Sequence, residues 1–265
     1  MPSSDATVEM DFHLLKPRGV AVYATRVFLE ETRDPGEKVK ALGQMEGEIP
    51  RAAQLLAAVE PQLIAFCCTS GAFLDGARGD RRIAQAIEDA TGVSAITTAS
   101  ALAEAIRFLG ATTIDLLTPY SEEVAVKAAE YLQMSLPGLV IHRQRHLGIV
   151  SGIDKCGVSP LEILREGKAL ASDEGEALVI SCTALPCLPI VTELEHDIMR
   201  PVVTSNLATM WLALRRLGVQ EPVLGRGQLL CAAASGSCKP PGHSAIRRDA
   251  PFVSGGDVLG HGQCQ

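Results

Sequence analysis

Aromatic side chains are scarce in this sequence, at 4% of 265 residues, and no uninterrupted apolar run approaches the length of a membrane span. A membrane helix needs roughly 18 consecutive apolar residues. The stretch from Leu178 to Val191 comes nearest, and Pro186 and Pro189 interrupt it. The N-terminus lacks the basic-then-apolar layout of a secretory leader, so a cytoplasmic protein is expected. There is no excess of basic residues; the formal net charge is −7, which argues against a nucleic-acid partner. G-x-G-x-x-G, Walker A and H-E-x-x-H patterns are all missing, which argues against nucleotide and zinc dependence. Histidines at ligand spacing are missing too. Cys67-Cys68 and Cys182-x4-Cys187 are therefore poor metal sites, and a cysteine protease would lack a signposted base. With eight cysteines in a chain of this expected compartment, free thiols are predicted rather than disulfides.

What the chain does have is a high apolar fraction, 47%, dominated by Ala, Val, Leu and Ile, as in helix-covered parallel sheets. Its length suffices for one large domain or two lobes. Strand and helix signals alternate. Strands are predicted at 19–25, 63–67, 93–97, 113–117, 138–143, 177–181 and 201–204. Helices are predicted at 37–59, 81–91, 100–109, 121–134, 159–171, 189–197 and 208–217, with residues before 19 irregular. Ser159 is the expected N-cap of its helix, followed by Pro160. The pattern predicts an α/β fold of two similar lobes, related by a pseudo-twofold axis, with parallel sheets flanked by helices and a site between the lobes. The lobes are expected at 1–115 and 116–230, the final helix packing back on the first. Residues 231–265, rich in Gly, Pro and Ser, are expected to form a disordered tail with incidental cysteines.

One local design occurs twice. Leu63-Ile-Ala-Phe-Cys-Cys-Thr-Ser-Gly71 and Leu178-Val-Ile-Ser-Cys-Thr-Ala-Leu-Pro186 each end an apolar run in Cys-Thr followed by small residues. Each is followed, at a similar distance, by a strand, a Thr/Ser turn, a helix and a Gly (92–110 and 200–218). Two buried strands ending this way can set Cys68 and Cys182 on opposite sides of one small substrate. Two facing thiols can move a proton from one face of a carbon to the other, or attack an alkene and release it. A thiol suits this because modest local shifts make it a thiolate. The enediolate that forms needs donors, which Thr69, Ser70, Gly71, Thr183 and Ala184 can supply at strand-to-helix turns. Gly71 is read as permitting a sharp turn and close approach. Tyr120, in Thr118-Pro-Tyr120, is placed to donate to a carboxylate. Cys67 reads as a core hydrophobe; Cys156 and Cys187 read as structural, and His142 and His146 as part of a solvated loop.

These features together resemble the aspartate/glutamate racemase superfamily, and within it the branch of maleate cis-trans isomerases and arylmalonate decarboxylases. The resemblance covers roughly 2–230. It rests on the Cys-Thr-Ser-Gly turn, Thr-Pro-Tyr before an acidic helix, Leu147-Gly-Ile149, Ser181-Cys-Thr183, the opening Pro2-Ser-Ser-Asp-Ala-Thr-Val-Glu9, Arg18-Gly-Val and Ala24-Thr-Arg-Val27. It implies a cofactor-independent enzyme acting on a small mono- or dicarboxylate, with Cys68 as nucleophile and Cys182 as acid/base. Thr69, Ser70, Thr183 and Tyr120 would hold carboxylates, and Asp5 would lie in the substrate-binding first loop. Homodimers are expected by analogy. The decarboxylases carry Gly at the first cysteine position, so Cys68 points to isomerase or racemase. The isomerases carry Asn where this chain has Asp5, and a second Asn where it has Gly152; Asp at the first position resembles ectoine-utilisation relatives. The relatives' first strand, ahead of the opening loop, has no counterpart here, and exposed sheet edges are expected. An amino-acid or hydantoin racemase, and a non-catalytic binding or redox-sensing relative, remain the alternatives.

Overall fold

The computed structural model describes residues 1–231; the expectation for the tail beyond Cys231 falls outside them. Helices and parallel strands alternate, as the periodicity predicts. Two parallel sheets form. One pairs β1 (Ile64–Phe66) with β2 (Ala95–Thr97). The other runs in the order β4-β3-β5-β6, from β3 (Thr113–Thr118), β4 (Val140–His146), β5 (Ala177–Ile180) and β6 (Val202–Thr204). β3 and β5 are buried along nearly their whole length, as central parallel strands covered on both faces must be. β4 is an edge strand. His142, Arg143, Arg145 and His146 lie on this strand rather than in a loop, and their exposed charges blunt the edge.

The repeated unit is visible in atomic detail. β2 runs into α6 (Thr98–Leu109), whose Thr97 cap accepts from Ser100 N–H, and the helix ends at left-handed Gly110. β6 runs into α11 (Ser205–Arg216), whose Thr204 cap accepts from Leu207 N–H, and left-handed Gly218 follows. The two helices pack on each other, and Thr209 Oγ1 bonds to Thr98 Oγ1 at 3.0 Å across the contact.

The sequence reading is corrected in several further places. The predicted helix at 37–59 is broken: α2 (Pro35–Gln44) and α3 (Ile49–Ala57) are separated by a 3-10 turn at Met45–Glu48. Pro50 sits in the first turn of α3, where its missing N–H costs nothing. The irregular start contains α1 (Val8–Leu15). Ser159 occupies the N-cap position of α9 (Pro160–Leu170) without a side-chain capping bond. Residues 19–25 do not join a ladder. Only the adjacent Val27 is bridged, in parallel, to Pro2. The 20–25 segment instead lines, together with β1, an apolar groove of about 150 Å³, with Val20, Val22 and Thr25 half-buried and Tyr23 61% exposed. Short helices missed by periodicity are α4 (Thr69–Phe73), α8 (Gly152–Cys156) and α12 (Gln228–Cys231). Between them lie α5 (Gly76–Thr91), α7 (Glu122–Ser135) and α10 (Val191–Ile198).

No helix among the described residues is long and apolar enough to cross a membrane. The six described cysteines are free thiols. Leu116 in β3 is fully buried, whereas Leu161 on α9 is 71% exposed. Chemical denaturation should show Leu116→Ala losing about 2–5 kcal/mol, and Leu161→Ala staying within about 0.5 kcal/mol of the parent.

Candidate active site

Cys68 is the residue before α4, in extended geometry, and Cys182 follows β5 by two residues. Both thiols line one small cavity together with Asp5, Ser70, Tyr120 and Thr183. Five of these six are buried, and Ser70 is partly so. In the larger groove beside β1 the one cysteine is Cys67. Cys67 lines that groove, on the opposite side of the strand end from Cys68, and its thiol rests on Ala65 C=O. This agrees with Cys67 as a packing residue.

The loops that bring these groups together are tied by backbone bonds. Ile149 N–H donates to Pro119 C=O at 2.7 Å, and Gly148 N–H to Tyr120 C=O at 3.0 Å. Gly148 takes φ 72°, a conformation that favours glycine. The Leu-Gly-Ile turn is thereby fastened to Thr-Pro-Tyr, and α8 is laid over Tyr120. From α8, Lys155 sends its ammonium over the Tyr120 ring, 5.3 Å from the centroid, and donates to Val150 C=O at 2.9 Å. Phe73 of α4 meets the same ring edge-on, at 5.8 Å.

Thr69 does not line the cavity. Its Oγ1 pairs with Ser205 Oγ at 3.0 Å, so it braces α4 against α11. Gly71 is not at a left-handed turn. An added Cβ would come within 2.8 Å of Met45 Cε and 3.1 Å of Cys68 Sγ, so glycine here leaves room for the Met45 tip and the sulfur. Asp5 uses Oδ1 to accept from Thr7 N–H (2.9 Å) and Val8 N–H (3.1 Å) at the entry to α1. Among the described residues its buried Oδ2 has no partner, and neither does Tyr120 Oη. Gly152 also lines the cavity. A Cβ there would press on Ser4 Oγ at 2.6 Å and Glu31 Oε1 at 2.8 Å, so the position is small because a polar clasp fills the space. In that clasp Glu31 accepts from Ser4 (2.5 Å), Lys38 (3.3 Å), Ser151 (3.0 Å) and Gly152 N–H (2.8 Å). Burial alone would raise the Glu31 carboxyl, but these donors hold it below the usual carboxylate range.

Two lysines in this wall, Lys38 and Lys155, were not singled out from sequence. Lys38 was legible: with Ala41, Leu42 and Met45 it falls on a buried helical stripe, an anomalous place for an ammonium. Lys155 lies on a five-residue helix too short to show periodicity.

Burial dominates the thiols. It pushes Cys182 up to about 11; the Lys155 ammonium opposes that rise and Asp5 adds to it. It also raises Cys68, against hydrogen bonds from Gly71 N–H and Ser70. The Lys155 ammonium is lowered by the same desolvation and supported by the two sulfurs. Both thiols are therefore mainly protonated at neutral pH, and positive charge at Lys155 favours the thiolate on Cys182. Removing that charge, in Lys155→Met, should raise the Cys182 pKa. Peptide-resolved alkylation at pH 8–9 should show Cys182 modified more slowly in the variant, with the half-buried Cys231 on α12 as the reference thiol; equal Cys182 rates would contradict this coupling.

The arylmalonate decarboxylase family model matches residues 30–230. A maleate isomerase of Nocardia farcinica is 28% identical over 240 residues, covering 87% of this chain and 93% of that protein. An arylmalonate decarboxylase of Bordetella bronchiseptica is 28% identical over 158 residues, covering 59% and 65%. Among solved structures, a variant of the Nocardia farcinica maleate cis-trans isomerase with a covalently bound succinylcysteine intermediate superposes with a TM-score of 0.79. It is 27% identical, covering 86% of this chain and 95% of that one. Maleate isomerase from Pseudomonas putida S16 with maleate superposes equally well, TM-score 0.79, at 23% identity and 87% and 95% coverage, which supports the fold. With the match spanning most of the described residues and both cysteines, the chain belongs to the arylmalonate decarboxylase family.

Proposed function

We propose that this protein is a cofactor-independent cis-trans isomerase of a small unsaturated dicarboxylate, of the maleate-to-fumarate type, with Cys68 as nucleophile and Cys182 as proton donor and acceptor. The observation that carries this is the convergence of two buried thiols, from the ends of β1 and β5, on one cavity. Similarity to maleate isomerases, one bearing a succinylcysteine intermediate, supports it. A chain with Cys at both positions has the two groups that addition and protonation each require.

The chemistry follows from the placement. Cys68 thiolate adds to one alkene carbon, and the π pair moves towards the carbonyl at the far end. The Cys182 thiol delivers its proton to the other carbon and becomes the thiolate, which Lys155 stabilises. The former double bond is now single and rotates. Cys182 takes back a proton, the C–S bond breaks, and the trans alkene leaves. The negative charge passes from one sulfur to the other and back, so the pair ends as it began. Ser70, Thr183 and Tyr120 are the cavity-facing donors for carboxylate oxygens. Tyr120 Oη remains protonated, since burial raises its pKa well above the usual value, outweighing the nearby Ser181 and Thr69 hydroxyls. The cavity offers about 30 Å³. That is space for little more than a water, so entry of a diacid requires the segments joined at Glu31 to part.

Proton NMR of protein with maleate should show fumarate accumulating. Cys68→Ala and Cys182→Ala should each lower the rate by about 10³-fold or more. Full turnover in both variants would overturn the assignment. With amino acids added in D2O, alpha-deuteration without any fumarate from maleate would favour a racemase, and no reaction with either would favour a binding protein.

A further inference from the structure

The cavity is electrically lopsided. At the Tyr120 end sits the Lys155 ammonium, which has three N–H donors and spends one on Val150 C=O. In the opening loop sits Asp5, 2% exposed, whose Oδ2 lacks any donor among the described residues. A buried acceptor without a donor is costly, and a carboxylate more so than a neutral oxygen. Asp5 is held in place by its other oxygen, which caps the entry to α1. Lys38, the second ammonium in the wall, is bonded to Glu31 and leaves Asp5 unanswered.

A symmetric dianion fits this cavity badly. One carboxylate meets Lys155, but an acceptor-only group in reach of Asp5 would place two carboxylates together away from water. The complement of the cavity is a molecule with a carboxylate at one end and an N–H or O–H donor at the other. The two-thiol chemistry narrows this further. Sulfur adds more readily to an alkene conjugated to a neutral carbonyl than to an anionic carboxylate, and a primary amide supplies such a carbonyl together with the N–H donor, which an amine or alcohol does not.

We propose that Asp5 is a specificity-determining residue, and that the preferred substrate is a monoanionic half-amide of an unsaturated four-carbon diacid, its amide N–H on Asp5 Oδ2 and its carboxylate on Lys155. The inference rests on the isomerase reading and names its substrate class. The bond changes are those given above: Cys68 sulfur bonds to one alkene carbon, the other takes the Cys182 proton, and both steps reverse after rotation. The amide is neither hydrolysed nor formed, so no further reactant is needed.

The test compares kcat/KM for maleamate and maleate in the wild type and in Asp5→Asn. Asparagine keeps a carbonyl oxygen for the Thr7 and Val8 N–H groups and presents an NH2 in place of Oδ2, so α1 stays capped. Any general change in thiol reactivity cancels in the ratio of the two substrates. The wild type should favour maleamate by about tenfold or more, and Asp5→Asn should move the ratio towards maleate by a similar factor. A wild-type preference for maleate, or a ratio that Asp5→Asn leaves unmoved, overturns the inference while leaving the isomerase reading intact. Calorimetry with the saturated analogues succinamate and succinate separates binding from chemistry. If neither alkene reacts but succinamate binds more tightly in an Asp5-dependent manner, the isomerase reading fails and the ligand class stands. If binding too shows no preference, both fail. Should Asp5→Asn fold poorly, Asp5→Ser keeps a capping oxygen and removes the charge, and it should likewise lose the amide preference.

Discussion

The packing of α6 against α11 is the constraint on which the site depends. β1 and β5 belong to different sheets, and neither sheet alone could face one thiol with another. The two helices that follow β2 and β6 meet face to face and are joined by the Thr98–Thr209 hydroxyl contact, while Thr69 to Ser205 ties α4 to the start of α11. These contacts are short and buried, and small side chains let the backbones approach. Thr69 and Ser205 sit at the first positions of α4 and α11, immediately beside the strand ends. A shift of one helix would therefore be felt directly at the sulfurs. Asn206 extends the brace by donating to Asp11 of α1 at 2.7 Å and to Thr183 C=O at 3.0 Å, tying the opening segment to the second cysteine turn.

Burial works against the chemistry that burial also makes possible. Excluding water raises both thiols, so the resting site holds little thiolate. The same exclusion strengthens every charge that remains. One ammonium, Lys155, is positioned to favour charge on Cys182, while Asp5 disfavours it. The wall of the site is thus not uniformly positive. It holds both the Lys155 ammonium and the Asp5 carboxyl oxygen left unpartnered among the described residues, and the proposed substrate class rests on that asymmetry.

Much of this was legible in the sequence because it is carried by local rules. The buried strands β3 and β5 announce themselves as apolar runs. The Cys-Thr repeat and the Thr-capped helices ending near Gly110 and Gly218 mark the duplication. What escaped depends on contacts between distant segments. Thr69 and Ser70 are neighbours with similar hydroxyls, and only tertiary packing turns one to Ser205 and leaves the other beside Cys68. Gly71 was read as a turn glycine, but its role is to leave room for Met45 and the sulfur. Residues 19–25 have strand composition without a partner to pair with, and composition alone cannot supply one. Lys155 lies on a single helical turn, and its importance arises from the Ile149–Pro119 tie that carries it over Tyr120.

The central claim is that Cys68 bonds to substrate while Cys182 manages the proton. The most direct measurement is mass spectrometry of Cys182→Ser quenched after brief exposure to maleate or its half-amide, with peptide mapping of the modified residue. The account predicts an adduct of substrate mass on Cys68, absent from Cys68→Ala. An adduct on any other cysteine, or none in a variant that still turns over, would contradict it.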